Sequence, residues 1–242
     1  SQVAIDNVAF QGEFGGETLV MLFSADDNTN ITDLFVGANL AELERITAEL
    51  EGIPQASSTI TPLIAMQFSD ALVKGPGRDA LISASLRDPD PAGREARNDD
   101  IQVGLARLGA VDSQSIGDPG WMEVLIFGND NFSVTDGELS APSDQNRAIR
   151  LSLAGVFPDQ NTAVGGVVLA GNATLDELSE GTEAVLEVLE TANFEGFELT
   201  PTGAPVYLRD INNFLKGGML ALGLAAIVVM ALVLVFLFPV RW

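Results

Sequence analysis

The run Gly217–Val240, GGMLALGLAAIVVMALVLVFLFPV, contains no charged side chain and no strongly polar one. As a helix it rises roughly 36 Å at 1.5 Å per residue, enough to cross a hydrocarbon core of about 30 Å with some tilt. A helix satisfies every backbone donor and acceptor within one span, which an isolated strand cannot do in lipid. A soluble core helix seldom stays apolar on every face for so long. A secretory signal peptide is excluded because the run lies near the C-terminal end of the sequence. A lipid-anchor signal would need small residues and a polar spacer before the apolar tail, and neither stands there. Arg241 and Trp242 follow the run and Lys216 precedes it, types suited to the headgroup level. The acidic part before the span is expected on the extracytoplasmic side, through about residue 215, with Arg241 cytoplasmic. The chain is therefore expected in a cell membrane, with the lipid bilayer as its first partner. The opening SQVAIDNVAF carries no apolar signal region, so export is expected to be directed either by a preceding segment or by the apolar helix itself, and the sequence is read as a segment of a longer polytopic protein.

Charge narrows the function next. The chain has 12 Lys and Arg against 34 Asp and Glu, a formal net charge of -22. Such a field repels phosphate backbones, so nucleic acid is not a partner. Only Lys74 and Lys216 are lysines, and an acidic, lysine-poor surface fits either work in high salt, where self-repulsion is screened, or an ordinary acidic exported domain. The chain has neither cysteine nor histidine. That removes disulfides, thiolate metal sites, thiol catalysis and the commonest general base. No Ser-His-Asp triad can form and no Gly-x-Ser-x-Gly elbow occurs. The expectation is a chain that is not an enzyme and has no cofactor.

The part before the span has a repeated grammar. Glu17–Ser24, ETLVMLFS, reads as a strand. A turn-rich stretch, Asp26–Asn30, follows. A helix is predicted from near Asn39, where Asn39 and Glu42 stand in capping-box spacing, and Leu40, Leu43, Ile46 and Leu50 share one face. Gly52 and Pro54 end it, and Ala56–Pro62 is a second strand. Later, Thr162–Ala170 reads as a strand and Thr174 with Glu177 as a capping box. A helix then runs to about Ala192 on Leu175, Leu178, Val185, Leu186 and Leu189. Phe197–Thr202 is the closing strand. Two strand–helix–strand units predict an α+β sheet covered on one face by two helices, the ferredoxin-like βαββαβ arrangement.

The middle differs. Gly75-Pro76-Gly77 and Asp88-Pro89-Asp90-Pro91 break it, with helical stretches expected at Arg78–Leu86 and at Gly93–Leu108, where Ile101, Leu105 and Leu108 are in register. Trp121–Phe127 is an apolar patch of undecided type, and Asn146–Val156 leans towards helix. The division expected is 1–66 and 146–210 for the two halves of the sheet domain, 67–145 for a mainly helical insertion, and 211–242 for linker and membrane helix.

In its order of features the chain resembles the MMPL-type branch of the resistance–nodulation–division (RND) exporters. The stretches that carry the likeness are ETLVMLFS, AELEGIPQASSTITP, DPGWMEVLIF, VFPDQNTAVGGVVL and ELTPTGAPVYLRDINNFLKGGMLALG. In that family an extracytoplasmic domain between the first two membrane helices carries a ferredoxin-like porter subdomain with helical insertions. Thr202-Gly203-Ala204-Pro205 corresponds to the phrase that closes its last strand, and Asp210-Ile211 falls in the linker. The resemblance implies ion-gradient-driven export of lipids or other hydrophobic compounds. The acidic residues that couple ion flow would lie on other helices. The partners implied are the remaining membrane helices, a second porter domain and a hydrophobic or lipid substrate. A whole exporter of this kind is a parallel repeat of two halves.

Remaining candidates are weaker. Asp26-Asp27 and Asp99-Asp100 are adjacent, so their side chains diverge and make a poor acid–base pair. Asp88-Pro-Asp90-Pro and Gly128-Asn-Asp130-Asn have calcium-loop composition without the ligand spacing. Gly165-Gly166 marks a bulge or tight packing rather than a phosphate loop. Asn30-Ile-Thr32, Asn131-Phe-Ser133 and Asn172-Ala-Thr174 mark exposed loops. Gly217, Gly218 and Gly223 permit either close packing with neighbouring helices or a flexible entry. Trp121, Met122, Phe127 and Phe132, dense aromatics and thioether in an aromatic-poor chain, are the residues expected either to contact a hydrophobic substrate or to form a plain packing cluster. The rival readings are a single-pass anchored binding or adhesion domain and a membrane-anchored hydrolase, the latter disfavoured by the missing nucleophile chemistry.

Overall fold

A computed structural model describes residues 16–75, 90–143, 146–171 and 173–237. The predicted helix at 78–86, the opening decapeptide, Asn172 and the segment from Phe238 to Trp242, including the expected span end at Val240, lie outside them.

Four strands form one antiparallel sheet: β1 (Thr18–Ala25), β2 (Ala56–Ile60), β5 (Thr162–Leu169) and β6 (Phe197–Gly203), in the order β2-β5-β1-β6. Two short strands, β3 (Ser133–Thr135) and β4 (Glu138–Ser140), make a separate hairpin. Central β1 pairs with both β5 and β6, Met21 standing opposite Gly165 on one side and Pro201 on the other. Pro201 is tolerated because β6 is an edge strand, where a missing N–H costs no ladder bond to a further neighbour. The period-two pattern of β1 sends Leu19, Met21 and Phe23 fully inward, and β5 does the same with Ala163, Val167 and Leu169. Helix α1 (Gly37–Glu51) joins β1 to β2, and helix α5 (Leu175–Glu190) joins β5 to β6, so the two strand–helix–strand units interleave in the sheet. Leu43, Ile46 and Leu50 of α1 and Val185, Leu186 and Leu189 of α5 share the core with the inward strand residues. Each such side chain contributes about 1.5–3 kcal/mol by leaving water.

Thr174 caps α5 as its spacing predicts, its hydroxyl accepting from the Glu177 amide at 3.3 Å while the Glu177 carboxylate accepts from the Thr174 amide at 2.7 Å. The Asn39–Glu42 capping box does not form. Helix α1 already begins at Gly37, and Asn39 is a buried tie. Its Nδ2 donates to Glu195 O at 3.0 Å and its Oδ1 accepts from Glu195 N at 2.7 Å, which fastens α1 to the entry of β6. A reciprocal pair stands one turn earlier, where the Asn30 amide donates to Asp33 Oδ2 at 2.9 Å before a 3-10 turn, Ile31–Phe35.

Helix α2 (Pro62–Lys74) follows β2 almost without a loop, capped by Thr61 with Pro62 in its first turn. The expected division at 66/67 falls inside it. Helix α3 (Pro91–Gly109) is N-capped by Asp90, whose carboxylate accepts from the amides of Ala92 and Gly93. Asp90 is therefore a helix cap. The buried face of α3 is carried by Val103 and Arg107, and Leu105 of the predicted stripe is half exposed. Trp121–Phe127 resolves into helix α4 (Pro119–Ile126), capped by Asp118. Asn146–Val156, read as helix, is irregular instead. Ile149 bridges Phe127 across an isolated β-contact, and Leu151–Leu153 makes a 3-10 turn. Among the described residues the helical middle shares one continuous core with the sheet, joining Trp121, Met122 and Ile126 to Ile31, Leu34, Phe35 and Phe157.

Strand β6 ends at Gly203, where φ is +119° and a Cβ would stand 2.5 Å from Thr18 O. Helix α6 (Ala204–Leu237) starts at the next residue and runs on through the apolar segment without interruption. The predicted linker at 211 and beyond is therefore helical, and Ala204–Lys216 forms a stalk of roughly 20 Å. Gly217–Leu234 has a mean hydropathy of 2.5 and no part of it is buried within the chain. It is one helix long and apolar enough to cross a membrane. Gly217, Gly218 and Gly223 have open space beside them.

The glycine pair in β5 is a packing requirement on one side. A Cβ on Gly165 would meet Met21 Cε at 2.8 Å and Ile60 O at 2.9 Å, whereas one on Gly166 first meets Leu19 O at 3.4 Å. Gly165→Ala is expected to lose about 1–3 kcal/mol by overpacking, and Gly166→Ala distinctly less. Urea denaturation followed by Trp121 fluorescence compares them, and equal losses would contradict the crowding account.

Candidate functional site

Helix α4 is short and almost wholly enclosed, so its position dictates its neighbours. At its start Asp118 Oδ1 accepts from the Trp121 amide at 2.8 Å. The indole of Trp121 is fully buried and donates to Asp70 Oδ1 of α2 at 2.7 Å. Lys74 pairs with the same Asp70 oxygen at 2.7 Å, its ammonium 5.4 Å from the centre of the Trp121 ring. An acid, a base and an aromatic thus fasten α2 to α4.

The other end of α4 presents carbonyls that no further turn can satisfy. Arg107 of α3 reaches them: Nη1 donates to Phe127 O at 3.0 Å, Gly128 O at 2.7 Å and Asn129 Oδ1 at 2.8 Å, and Nη2 to Glu123 O at 2.9 Å. Arg150 takes the next carbonyls, Nη2 donating to Val124 O at 2.9 Å and Nε to Leu125 O at 3.0 Å. Arg147 pairs with the Glu123 carboxylate at 2.6 Å and lies 6.0 Å from the Phe127 ring centre. Three guanidiniums therefore gather at the negative end of one helix dipole, where cations are favoured. Burial works against two of them. It pushes Arg107 down to about 10, helped by repulsion from Arg150, and it lowers Arg150 as well. Neither Arg107 nor Arg150 forms an ion pair with a carboxylate among the described residues.

Beside this cluster a groove of about 280 Å³ opens between α2, α3 and α4. Leu72 and Val73 form one wall, Leu108 another, and Val124, Leu125 and Leu153 the floor, with Arg150 among its lining residues. Its outer surroundings are apolar too, with Leu72 half exposed and Leu151 92% exposed. A smaller cavity of about 210 Å³ lies between the end of α5 and β6.

The expected substrate contacts divide. Trp121 and Met122 have no exposed surface and Phe127 very little, so these three are core residues of α4 and its cap. Phe132 is half-buried with the Arg107 guanidinium 4.2 Å from its ring centre. The structure brings all four around α4, but the groove is one helix face away, lined by Leu72, Leu108, Val124 and Leu153. Of the motif at the last strand, Thr202 pairs with Val20, Gly203 makes the turn into α6, and Pro205 is buried in its first turn. Asp210 is exposed on the stalk, 3.7 Å from Arg209 Nε. Asp26 closes a turn by accepting from Thr29 Oγ1 at 2.6 Å, and Asp100 accepts from Asn129 Nδ2 at 2.9 Å. Among the described residues no three carboxylates are grouped to hold a metal ion.

Sequence reasoning missed Arg107, Arg147 and Arg150. A usable signal was present: in a chain with few cations, Leu105-Ala-Arg107-Leu108 and Ile149-Arg150-Leu151 place arginine inside apolar runs, where a charge needs a structural partner. Comparisons with protein-family models, with curated proteins and with solved structures found no match.

Arg107→Met should cost at least about 3 kcal/mol, because several buried carbonyls lose their donor at about 1–3 kcal/mol each. Arg45→Met, which removes a partly exposed pair to Glu42 and Glu49 on α1, should stay within about 1 kcal/mol. Chemical denaturation of both variants checks the contrast.

Proposed function

We propose that the chain is the extracytoplasmic porter domain of an RND exporter of the MMPL type, together with the membrane helix that follows it. In this reading it handles lipids or other hydrophobic compounds and works with further membrane helices and a second porter domain under an ion gradient. One observation carries the reading: the strand order β2-β5-β1-β6, built from two interleaved strand–helix–strand units, belongs to a ferredoxin-like sheet, and its last strand passes straight into an apolar helix. The apolar groove between α2, α3 and α4 supports it as a place where a hydrophobic compound leaves water. The exposed apolar side chains of the stalk, Tyr207, Leu208, Phe214 and Leu215, suit neighbouring helices of the same transporter.

The gene that encodes the chain decides between this and the alternative. A second strand–helix–strand pair and several further apolar spans in the same reading frame support the exporter. Their absence leaves a single-pass anchored binding or adhesion domain. Orientation is tested separately. The chain has no cysteine, so Glu187→Cys on the exposed face of α5 gives one labelling site. A membrane-impermeant maleimide should label it in intact cells, and labelling only after lysis would place the domain in the cytoplasm.

A further inference from the structure

Arg150 poses a charge problem that the fold does not complete. Its Nε and Nη2 are spent on the carbonyls of Val124 and Leu125, while Nη1 has no hydrogen-bond partner among the described residues. Asp100 and Asp130 attract it from beyond ion-pair distance, and Arg107 is near enough to repel it. A mostly buried guanidinium without a carboxylate is unusual in any protein. It is more so where acids outnumber bases 34 to 12. The same residue lines a groove walled mainly by leucine and valine, with Ser69, Asn129 and Ser152 as its other polar side chains. Mainly apolar walls with a single charged residue, a cation, present a complementary surface to an amphiphile of opposite charge.

We propose that the groove between α2, α3 and α4 binds a medium-chain carboxylate, its tail along Leu72, Leu108 and Leu153 and its head on Nη1 of Arg150. A carboxylate there accepts a charge-assisted hydrogen bond from the unused donor. The volume of about 280 Å³ sets the tail length. It is on the scale of a medium-chain amphiphile and not of a whole lipid, so a ten-carbon probe is used. The preference for an anion rests on the one free donor of Arg150, since Glu123, Asp100 and Asp130 offset the charge of the three arginines around it. As a statement about the transported compound, the proposal rests on the exporter reading. As a statement about binding, it is tested without transport.

The experiment uses the full chain in lipid nanodiscs with leucine and valine methyls labelled for NMR. Decanoate, decanol and decyltrimethylammonium are titrated in turn, so that partition into the lipid is common to all three. Decanoate should give saturable shifts at Leu72, Leu108 and Leu153, with decanol weaker by about tenfold or more, the worth of one good charged contact. Because Arg150 also caps α4, its variants risk unfolding. Ser152→Asp is the cleaner probe, an exposed position on the groove where a new carboxylate should weaken decanoate by about tenfold and leave decanol unchanged. Equal affinity for decanol, tighter binding of the ammonium compound, or no shift at these methyls would each overturn the proposal. Failure here with further spans present in the gene removes this site and leaves the exporter. Binding here in a gene product without them removes the exporter and leaves the site.

Discussion

A helix end enclosed by protein has carbonyls that water cannot reach, and the arrangement around α4 follows from how they are satisfied. The C-terminal carbonyls of α4 lie where α3 and the irregular segment after Asn146 converge. Arg107 and Arg150 bring donors from both, so three parts of the chain distant in sequence are held at one point. A planar guanidinium suits the task because it spreads donors over several acceptors in a fixed fork. A lysine in either place would offer one point of charge for carbonyls that stand in different directions. The fixed spacing of α3 from α4 is what leaves a groove beside them instead of a collapsed contact.

The sheet and the groove are two sides of one core. Leu19, Met21 and Phe23 of β1 lie in the same apolar cluster as Trp121 and Met122 of α4. Phe23 meets Phe194 edge-on at 5.3 Å, and Phe35 meets Phe157 at 6.0 Å, contacts that favour this geometry over a sliding one. The helical middle therefore does not hang from the sheet as an independent lobe. A displacement of α4 would be felt at the strands, and a change in the strands at the groove walls.

What could be read from the sequence follows the range of the interaction that fixes each element. β1, β5 and α5 are set by local period and by a capping pair four residues long, and they stand where Thr174, Glu177 and the alternating apolar residues place them. Asn39 has the same spacing to Glu42 as a cap, yet its partner is Glu195, at a sequence separation of 156. No local pattern distinguishes the two cases. Helix α2 escaped notice because Thr61 and Pro62 end a strand and begin a helix at once. The segment 146–156 has apolar residues at near-helical intervals, but Arg150 is drawn to the carbonyls of α4 and Ile149 to Phe127, and those long-range bonds replace the local ones. The site lies in this long-range part, which is why Trp121, Met122 and Phe127 drew attention as aromatic density while the arginines that frame the groove did not.

The junction between β6 and α6 links this core to the membrane-length helix. Gly203 turns the chain in a conformation that side chains rarely adopt, pressed against Thr18 O of β1. Pro205, buried in the next turn, then fixes the start of the helix. Strand and helix therefore join with no loop between them, and β6 is tied through its ladder to β1. A stalk of continuous helix bends little where its hydrogen bonds are unbroken. The linkage joins the membrane-length helix directly to the strand ladder, and through the shared apolar core to α4 and the groove beside it.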